Sequence, residues 1–144
     1  MKKIHSVIIL PVLIIFLLVS PVIGSDDWMI NYEDMNGDVI LYKIEHRIKN
    51  IVQVWGNRIL SDEGREEFIR DRRDNGLSTE GLDKLGHVTS LYEINCRQKT
   101  GRLLSVVMYD RYGVIIYSGS SVEPEWDYIV PNTDGDTFRK KVCE

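Results

Sequence analysis

The sequence predicts an α+β fold, with an antiparallel β-sheet of about six strands, a charged surface helix and a disulfide-tethered C-terminal helix. Short runs of β-branched and aromatic residues follow one another with turn residues between them, which is typical of antiparallel strands. Two segments with helix-capping residues interrupt and end this series. The two cysteines of the chain, Cys96 and Cys143, lie on a predicted strand and on the last predicted helix.

The first three predicted strands lie in the first half of the chain. Residues Trp28–Tyr32 and Val39–Ile44 are strand-like runs on either side of Asn36-Gly37. Asn-Gly between apolar runs is a strong hairpin signal, because glycine and asparagine tolerate positive φ. After a polar break, residues Ile51–Leu60 form a third run rich in β-branched and aromatic side chains.

A charged helix is predicted from Ser61 to about Arg73. Ser61 can cap it, and the two acidic residues that follow suit the positive end of the helix dipole. Phe68 and Ile69 are its large apolar residues, so we expect the helix to lie on the surface and to present a solvated, charged face. A protein-docking surface is the alternative interpretation of this charge run. Asn75-Gly76 ends it, and the following residues, 77–87, read as a polar loop.

The clearest strand alternation follows at Val88–Cys96. Val88, Tyr92, Ile94 and Cys96 share one face, with Ser90 among them. Further strands are predicted at 102–110, 114–118 and 126–130; the first two form a hairpin that turns through Asp110 to Gly113.

The last segment has the pattern of a short helix. Thr133 can cap it, and Phe138 and Val142 share a face at i, i+4 spacing, next to Cys143. An intramolecular bond to Cys96 would lock this helix onto the apolar face of the sheet, and the pairing is expected in an oxidising compartment. Two free thiols and an intermolecular bond are the alternatives.

Residues 1–24 read as a secretory signal peptide. Lys2 and Lys3 form a positive start, an apolar run from Ser6 to Ser20 follows, and Gly24 ends a segment with small residues. The alternative is an uncleaved membrane anchor, although the apolar run is near the lower length limit for a membrane-spanning helix and is interrupted by prolines. Residues 25–144 are then one exported domain, with no membrane insertion after cleavage.

The charge balance argues against nucleic acid as a partner. The chain has 18 basic and 22 acidic residues, and cleavage would remove Lys2 and Lys3, so 16 basic residues would face 22 acidic ones. Proteins that bind nucleic acids neutralise phosphates with basic patches. An acidic domain of this size fits a soluble exported protein better.

A set of short motifs in the mature chain resembles the surface-adhesin protein E family of bacterial envelope proteins. The motifs are Val54-Trp55, Ser61-x-x-Gly64-Arg65, Tyr92-Glu-Ile-Asn-Cys96, Arg102-Leu-Leu-Ser105, Tyr109-Asp-x-x-Gly113, Ser118 to Ser121, Trp126-x-Tyr128-Ile-Val-Pro131 and Val142-Cys143. The resemblance implies a six-stranded antiparallel sheet with a disulfide-tethered C-terminal helix, a homodimer, and binding of host matrix and plasma proteins. The founding adhesin is lipid-anchored, whereas this chain has no lipobox cysteine directly after its apolar run.

Motifs for catalysis or cofactor binding are weak. His46 and His87 lie far apart and outside any metal-ligand spacing, so no metal and no cofactor are expected. The segments 34–38 and 132–136 look faintly like calcium loops but lack the full pattern. The tryptophans, Trp28, Trp55 and Trp126, are expected to pack in the core or at an edge, although an exposed one could anchor a partner.

These observations favour an exported, non-enzymatic binding module, adhesin-like, that contacts proteins at or outside the cell envelope. A periplasmic structural or assembly accessory protein is the alternative hypothesis, and a hydrolase is a third, less favoured one. The partner would be a protein that docks on an exposed sheet face or edge. The cell surface and the periplasm both fit the export signal.

Overall fold

A computed structural model describes residues 28–144, and the predicted signal peptide at 1–24 lies outside them. Over residues 28–144 the chain forms a seven-stranded antiparallel sheet and two α-helices, which confirms the α+β prediction. The elements in chain order are β1 (Met29–Glu33), β2 (Val39–Ile48), β3 (Ile51–Ile59), α1 (Asp62–Asp74), a 3₁₀ turn (Leu82–Lys84), β4 (Leu85–Asn95), β5 (Thr100–Asp110), β6 (Ile115–Ser120), β7 (Asp127–Tyr128) and α2 (Asp134–Cys143).

The first six strands lie side by side in their sequence order, so that each pairs with the next. The short β7 instead pairs with the first two residues of β5, Thr100 and Gly101. Among the described strands, β1 and β6 therefore form the two long edges of the sheet. The predicted hairpin between β1 and β2 is present, and Gly37 takes the positive φ of 81° in its turn.

The strand registers sort the side chains onto two faces. Val52 of β3 pairs with Ile94 of β4, and Val54 pairs with Tyr92, so these four side chains share one face, as the alternation predicts. Both helices contribute to apolar clusters on this face, which we call the helix face. The opposite face is called the open face below.

Helix α2 packs on the helix face as the sequence predicts. Val142 is fully buried, and Phe138 contacts Tyr42 edge-on with 5.6 Å between ring centroids. Cys143 forms the expected disulfide with Cys96, with 5.7 Å between the Cα atoms. The bond ties the end of the chain to the residue that follows β4, so the C-terminal helix cannot leave the sheet while the disulfide is intact.

Helix α1 covers the other half of the helix face. Phe68 and Ile69 pack against a second buried cluster that contains Leu60, Leu85 and Met108. The expectation of a polar loop at 77–87 was wrong for its second half. Leu82 and Leu85 are almost completely buried there, because the 3₁₀ turn and the early start of β4 direct both side chains beneath α1.

The start of α1 is fixed by the buried carboxylate of Asp38. The Ser61 hydroxyl accepts the backbone N–H of Gly64 and so caps the helix, as predicted. The Ser61 N–H donates to Asp38 Oδ1 (2.8 Å), and Arg58 Nε donates to Asp38 Oδ2 (2.6 Å). Burial opposes ionisation of Asp38, but the Ser61 and Arg58 hydrogen bonds outweigh it and hold its pKa below the ordinary value.

Candidate functional site: the open face of the sheet

The open face carries an apolar patch that no helix or strand of the described chain covers. Its side chains come from alternate positions of four neighbouring strands, and none of them belongs to either buried cluster of the helix face. The patch consists of Val39, Leu41, Trp55, Ile59, His87, Leu91, Val107 and Tyr109. Apolar side chains left in contact with solvent on this scale mark interaction surfaces in soluble proteins.

Trp55 and Leu91 form the end of this patch that lies away from His87 and Tyr109, and the polar pair Asn57 and Thr89 lies between the two ends. They are cross-strand partners on β3 and β4, the two central strands, and both are half-buried. The indole Nε1–H of Trp55 donates to Glu45 Oε2 (3.1 Å), which satisfies its polar atom and fixes the ring against the sheet. Trp55 thus presents a broad, pre-oriented apolar surface, a feature typical of residues that dominate protein–protein binding.

An aromatic pair forms one end of the patch. His87 and Tyr109 stack with 4.5 Å between ring centroids and an 11° interplanar angle. Burial lowers the pKa of His87 below its ordinary value, because the charged imidazolium loses solvation beside the sheet. The uncharged imidazole is therefore favoured at neutral pH, and this end of the patch keeps its apolar character.

A polar cluster borders the opposite end. Glu93 accepts Arg102 Nε (2.8 Å) and also lies 3.4 Å from the Gln53 amide nitrogen. The Arg102 guanidinium stacks on the Trp126 ring at 4.4 Å from its centroid. The boundary of the patch is thus made of paired charges, an arrangement like the polar rim that surrounds the apolar centre of many interfaces.

The helix face carries a second concavity, a cleft of about 790 Å³ between α1 and α2. The cleft is deep at the sheet because the cross-strand partners Gly56 and Ser90 line it there and neither has a large side chain. The basic groups at its edge already have partners: Arg58 binds Asp38, and Arg72 donates to the Ser78 carbonyl. The cleft is therefore a mostly apolar gap between two helices, and the arginines at its edge are already paired.

The weak metal and catalytic patterns resolve into local structure. Asp34 Oδ1 accepts the backbone N–H groups of Asn36 and Asp38, which makes 34–38 a turn. Asp136 binds the side chains of Lys140 and Arg139, and these bonds hold its pKa far below the ordinary value. Within residues 28–144 no group of three potential metal ligands comes together.

The remaining singled-out residues are dispersed. His46 is exposed near the end of β2, seven residues along the strand from Val39, which lies at the His87 end of the patch. The acidic and basic run on α1 is largely exposed, as expected for a solvated helix face. Trp126 lies near the sheet edge, as expected. The expectation that Trp55 would pack in the core or at an edge was wrong, since its side chain lies on the open face of a central strand, β3.

Sequence reasoning did not single out Leu91 and Val107 as binding residues, and it left open which tryptophan could anchor a partner. Their alternation is visible in the sequence, but an alternating pattern reads the same whether a second layer covers the face or not. The only signal was that both predicted helices could be assigned to the face of Tyr92 and Ile94. That left no predicted element for the other face.

One family model matches this chain. The model of surface-adhesin protein E matches residues 66–144, which runs from α1 through β4 to the C-terminal helix and includes both cysteines. No curated protein and no solved structure matches the chain significantly. No helix among residues 28–144 has the length and hydropathy needed to cross a membrane.

Proposed function

The chain belongs to the surface-adhesin protein E family, and from this premise we propose that it is an exported binding module that docks a protein through its open face. Surface adhesins bind other molecules, so the family supports a binding role and a location at or outside the cell envelope. The partner is proposed to be a protein because the open face offers a flat, mostly aliphatic and aromatic surface with a paired-charge border.

The apolar patch is the observation that carries this proposal. From β2 to β5 it crosses three strand spacings of about 4.8 Å, and along the strands it covers about 13 Å, the rise of four residues. That is a few hundred Å² of surface, comparable with the largest functional patches on soluble monomers. Its aromatic content and its scarcity of unpaired charge match the centre of a protein–protein interface.

Export is supported by two independent features. Residues 1–24 have the pattern of a signal peptide. The Cys96–Cys143 disulfide is a feature of proteins that fold in oxidising compartments. The proposal places residues 25–144 in the periplasm or on the cell surface.

The proposed role is non-enzymatic, since the family is one of adhesins and the open face is proposed to act by contact alone. The purified exported protein should give no turnover above background with ester, glycoside and peptide substrates. Turnover that persists through rigorous purification would contradict this part of the proposal.

A homodimer is also proposed, because the resemblance to the family implies one. Sedimentation equilibrium of the exported protein across the micromolar range should show dimers. A monomer at every concentration would remove this element and leave the binding role intact.

Location separates the adhesin-like role from the alternative of a periplasmic assembly accessory. Protease added to intact cells should digest the protein, while a periplasmic marker stays whole. Protection of the protein until the cells are lysed would favour the accessory role.

Site-specific photo-crosslinking in living cells tests the open face itself. A photoreactive amino acid at Leu91 should give an adduct of defined mass, because this side chain would lie inside the interface. The same amino acid at Glu66, exposed on α1, is the matched control and should give none. Equal crosslinking at both positions, or adducts only at Glu66, would overturn the proposed docking face.

A further inference from the structure

The outer edge of β6 lacks the protection that sheet edges usually carry. From Val114 to Val122 the chain has no charged residue and no proline, and Ile115 and Tyr117 are largely exposed. Natural proteins blunt an exposed edge with charges, prolines or a covering element, because unpaired backbone groups recruit further strands. An uncharged edge of high β-propensity is therefore expected to have a strand partner.

The hydrogen-bond pattern shows which backbone groups are available on this edge. The Ser121 N–H donates to the Leu104 carbonyl (2.9 Å). Two residues away on each strand, Gly119 of β6 pairs with Val106 of β5. In an antiparallel pair, every second residue bonds to the neighbouring strand, so Ser118 and Ser120 direct their N–H and C=O groups away from β5. Water hydrates such groups on an open edge, and a further extended polypeptide can replace it with hydrogen bonds at strand spacing.

We propose that a second copy of this chain occupies the edge, with the two β6 strands antiparallel and Ser118 opposite Ser118 of the second copy. This deepens the proposed function, since it rests on the homodimer and names its interface. The two-fold axis then lies at Ser118, and the contact is isologous, the commonest arrangement in soluble dimers.

Steric fit favours this register. A Cβ on Gly119 would lie 2.5 Å from the Tyr117 hydroxyl, so the tyrosine ring folds over the glycine of its own strand. With Ser118 at the centre, Tyr117 also lies opposite Gly119 of the second copy. The glycine has no side chain to collide with the ring, and each aromatic ring covers exposed backbone of both strands.

Charge at the ends of β6 favours the antiparallel direction. Arg111, which pairs with Asp62 at 3.0 Å but stays about half exposed, precedes the uncharged stretch, and Glu123 and Glu125 follow it. Antiparallel pairing of two copies brings the basic end of one strand to the acidic end of the other. Parallel pairing would place like charges together, which opposes association.

The assembly would extend the open face across both copies. A two-fold axis perpendicular to a continuous sheet keeps the two open faces on the same side. Two docking patches on one side allow a partner with repeated sites to bind both, which raises its apparent affinity.

Replacement of Ser118 by proline tests the edge. Proline removes the outward N–H, which does not bond to β5, and edge strands tolerate proline. The dimer of the exported protein has two such bonds at its centre, so Ser118→Pro should raise its dissociation constant about tenfold or more. The matched variant Ser118→Ala keeps the N–H and should dimerise like the wild type in sedimentation equilibrium.

A charge-swap pair covers the case in which Ser118→Pro fails to fold. Ser118→Lys and Ser118→Asp should each be monomeric, and an equimolar mixture should form heterodimers, because the two positions face each other only in this register. A wild-type monomer, or a dimer that both Ser118→Pro and the charged variants leave intact, would overturn the proposal. A dimer that these variants leave intact would mean that the homodimer exists but uses another interface. A wild-type monomer would remove the homodimer and leave the proposed docking role of the open face untouched.

Discussion

A Cβ atom built on Gly64 would lie 1.9 Å from the Oδ1 atom of Asp38. The carboxylate fills the space that any larger residue would need in the first turn of α1. The same carboxylate accepts the Ser61 N–H at the helix start. Residues far apart in sequence thus fix the docking of α1 on the sheet, and Gly64 is required by this packing rather than by backbone conformation.

Gly64→Ala should therefore destabilise the protein by about 3 kcal/mol or more, since overpacking a buried site usually costs about 1–3 kcal/mol and the Asp38 hydrogen bonds are also displaced. Chemical denaturation followed by circular dichroism measures the change. Gly135→Ala is the control, because a Cβ there would have its nearest contacts at an ordinary 3.6 Å. A Gly64→Ala variant as stable as Gly135→Ala would contradict this account.

Stability should fall in acid partly through Asp38. Its pKa is lowered in the folded state against about 3.9 in the unfolded chain. The stabilisation from its ionised form is therefore fully present above the unfolded value and is lost as the pH falls through the folded value.

Asp38→Asn should reduce the slope of unfolding free energy against pH below about pH 4 and should cost about 1–3 kcal/mol at neutral pH, because buried donors lose a charged acceptor. Denaturation series from pH 2 to pH 7 give both quantities. Asp136, whose pKa is also lowered by Lys140 and Arg139, should leave a residual slope in the variant. An unchanged slope would show that Asp38 does not contribute.

The disulfide should contribute strongly to stability. The cysteines are 47 residues apart in sequence, and the loop-entropy relation gives about 4 kcal/mol for closing a loop of that length. Cys143→Ala should lower the melting temperature sharply, and reduction of the wild type should lower it by a similar amount. A melting curve that neither change affects would mean that the helix is held by packing alone.

Leu85 should behave as a core residue although the sequence favours a loop around it. Its side chain is fully buried in the cluster beneath α1, so Leu85→Ala should cost about 2–5 kcal/mol. Leu77 lies in the same stretch but is 52% exposed, and Leu77→Ala should change stability by less than about 0.5 kcal/mol. Equal losses in the two variants would place Leu85 outside the core.

The sequence predicted the helix face well because its signals are local. The alternation through Tyr92 and Ile94, the i, i+4 pair Phe138 and Val142, and the cysteine next to that pair all point to the same packing. Ser61 and Thr133 are both helix caps in the structure, as their positions indicate. Local propensity and tertiary packing agree in these elements, so a single sequence is sufficient to place them.

The parts that were missed depend on distant residues. Leu82 and Leu85 lie in a polar, glycine-containing stretch, and their burial follows from how α1 crosses the sheet. Gly86 is needed there because Asp110 and Arg111 approach within 2.9 Å of its Cβ position. The openness of the face with Trp55 and Leu91 is a property of the whole layer arrangement, which strand alternation does not encode.

The most direct test of the open face is the affinity of the partner captured by crosslinking at Leu91. Leu91→Asp should weaken its binding by about tenfold or more, since a charge would replace an apolar contact within the interface. The exposed α1 variant Glu66→Lys should bind like the wild type, and both variants should keep the wild-type melting temperature within a few degrees. Unchanged affinity of a folded Leu91→Asp variant would contradict the assignment of this face as the docking surface.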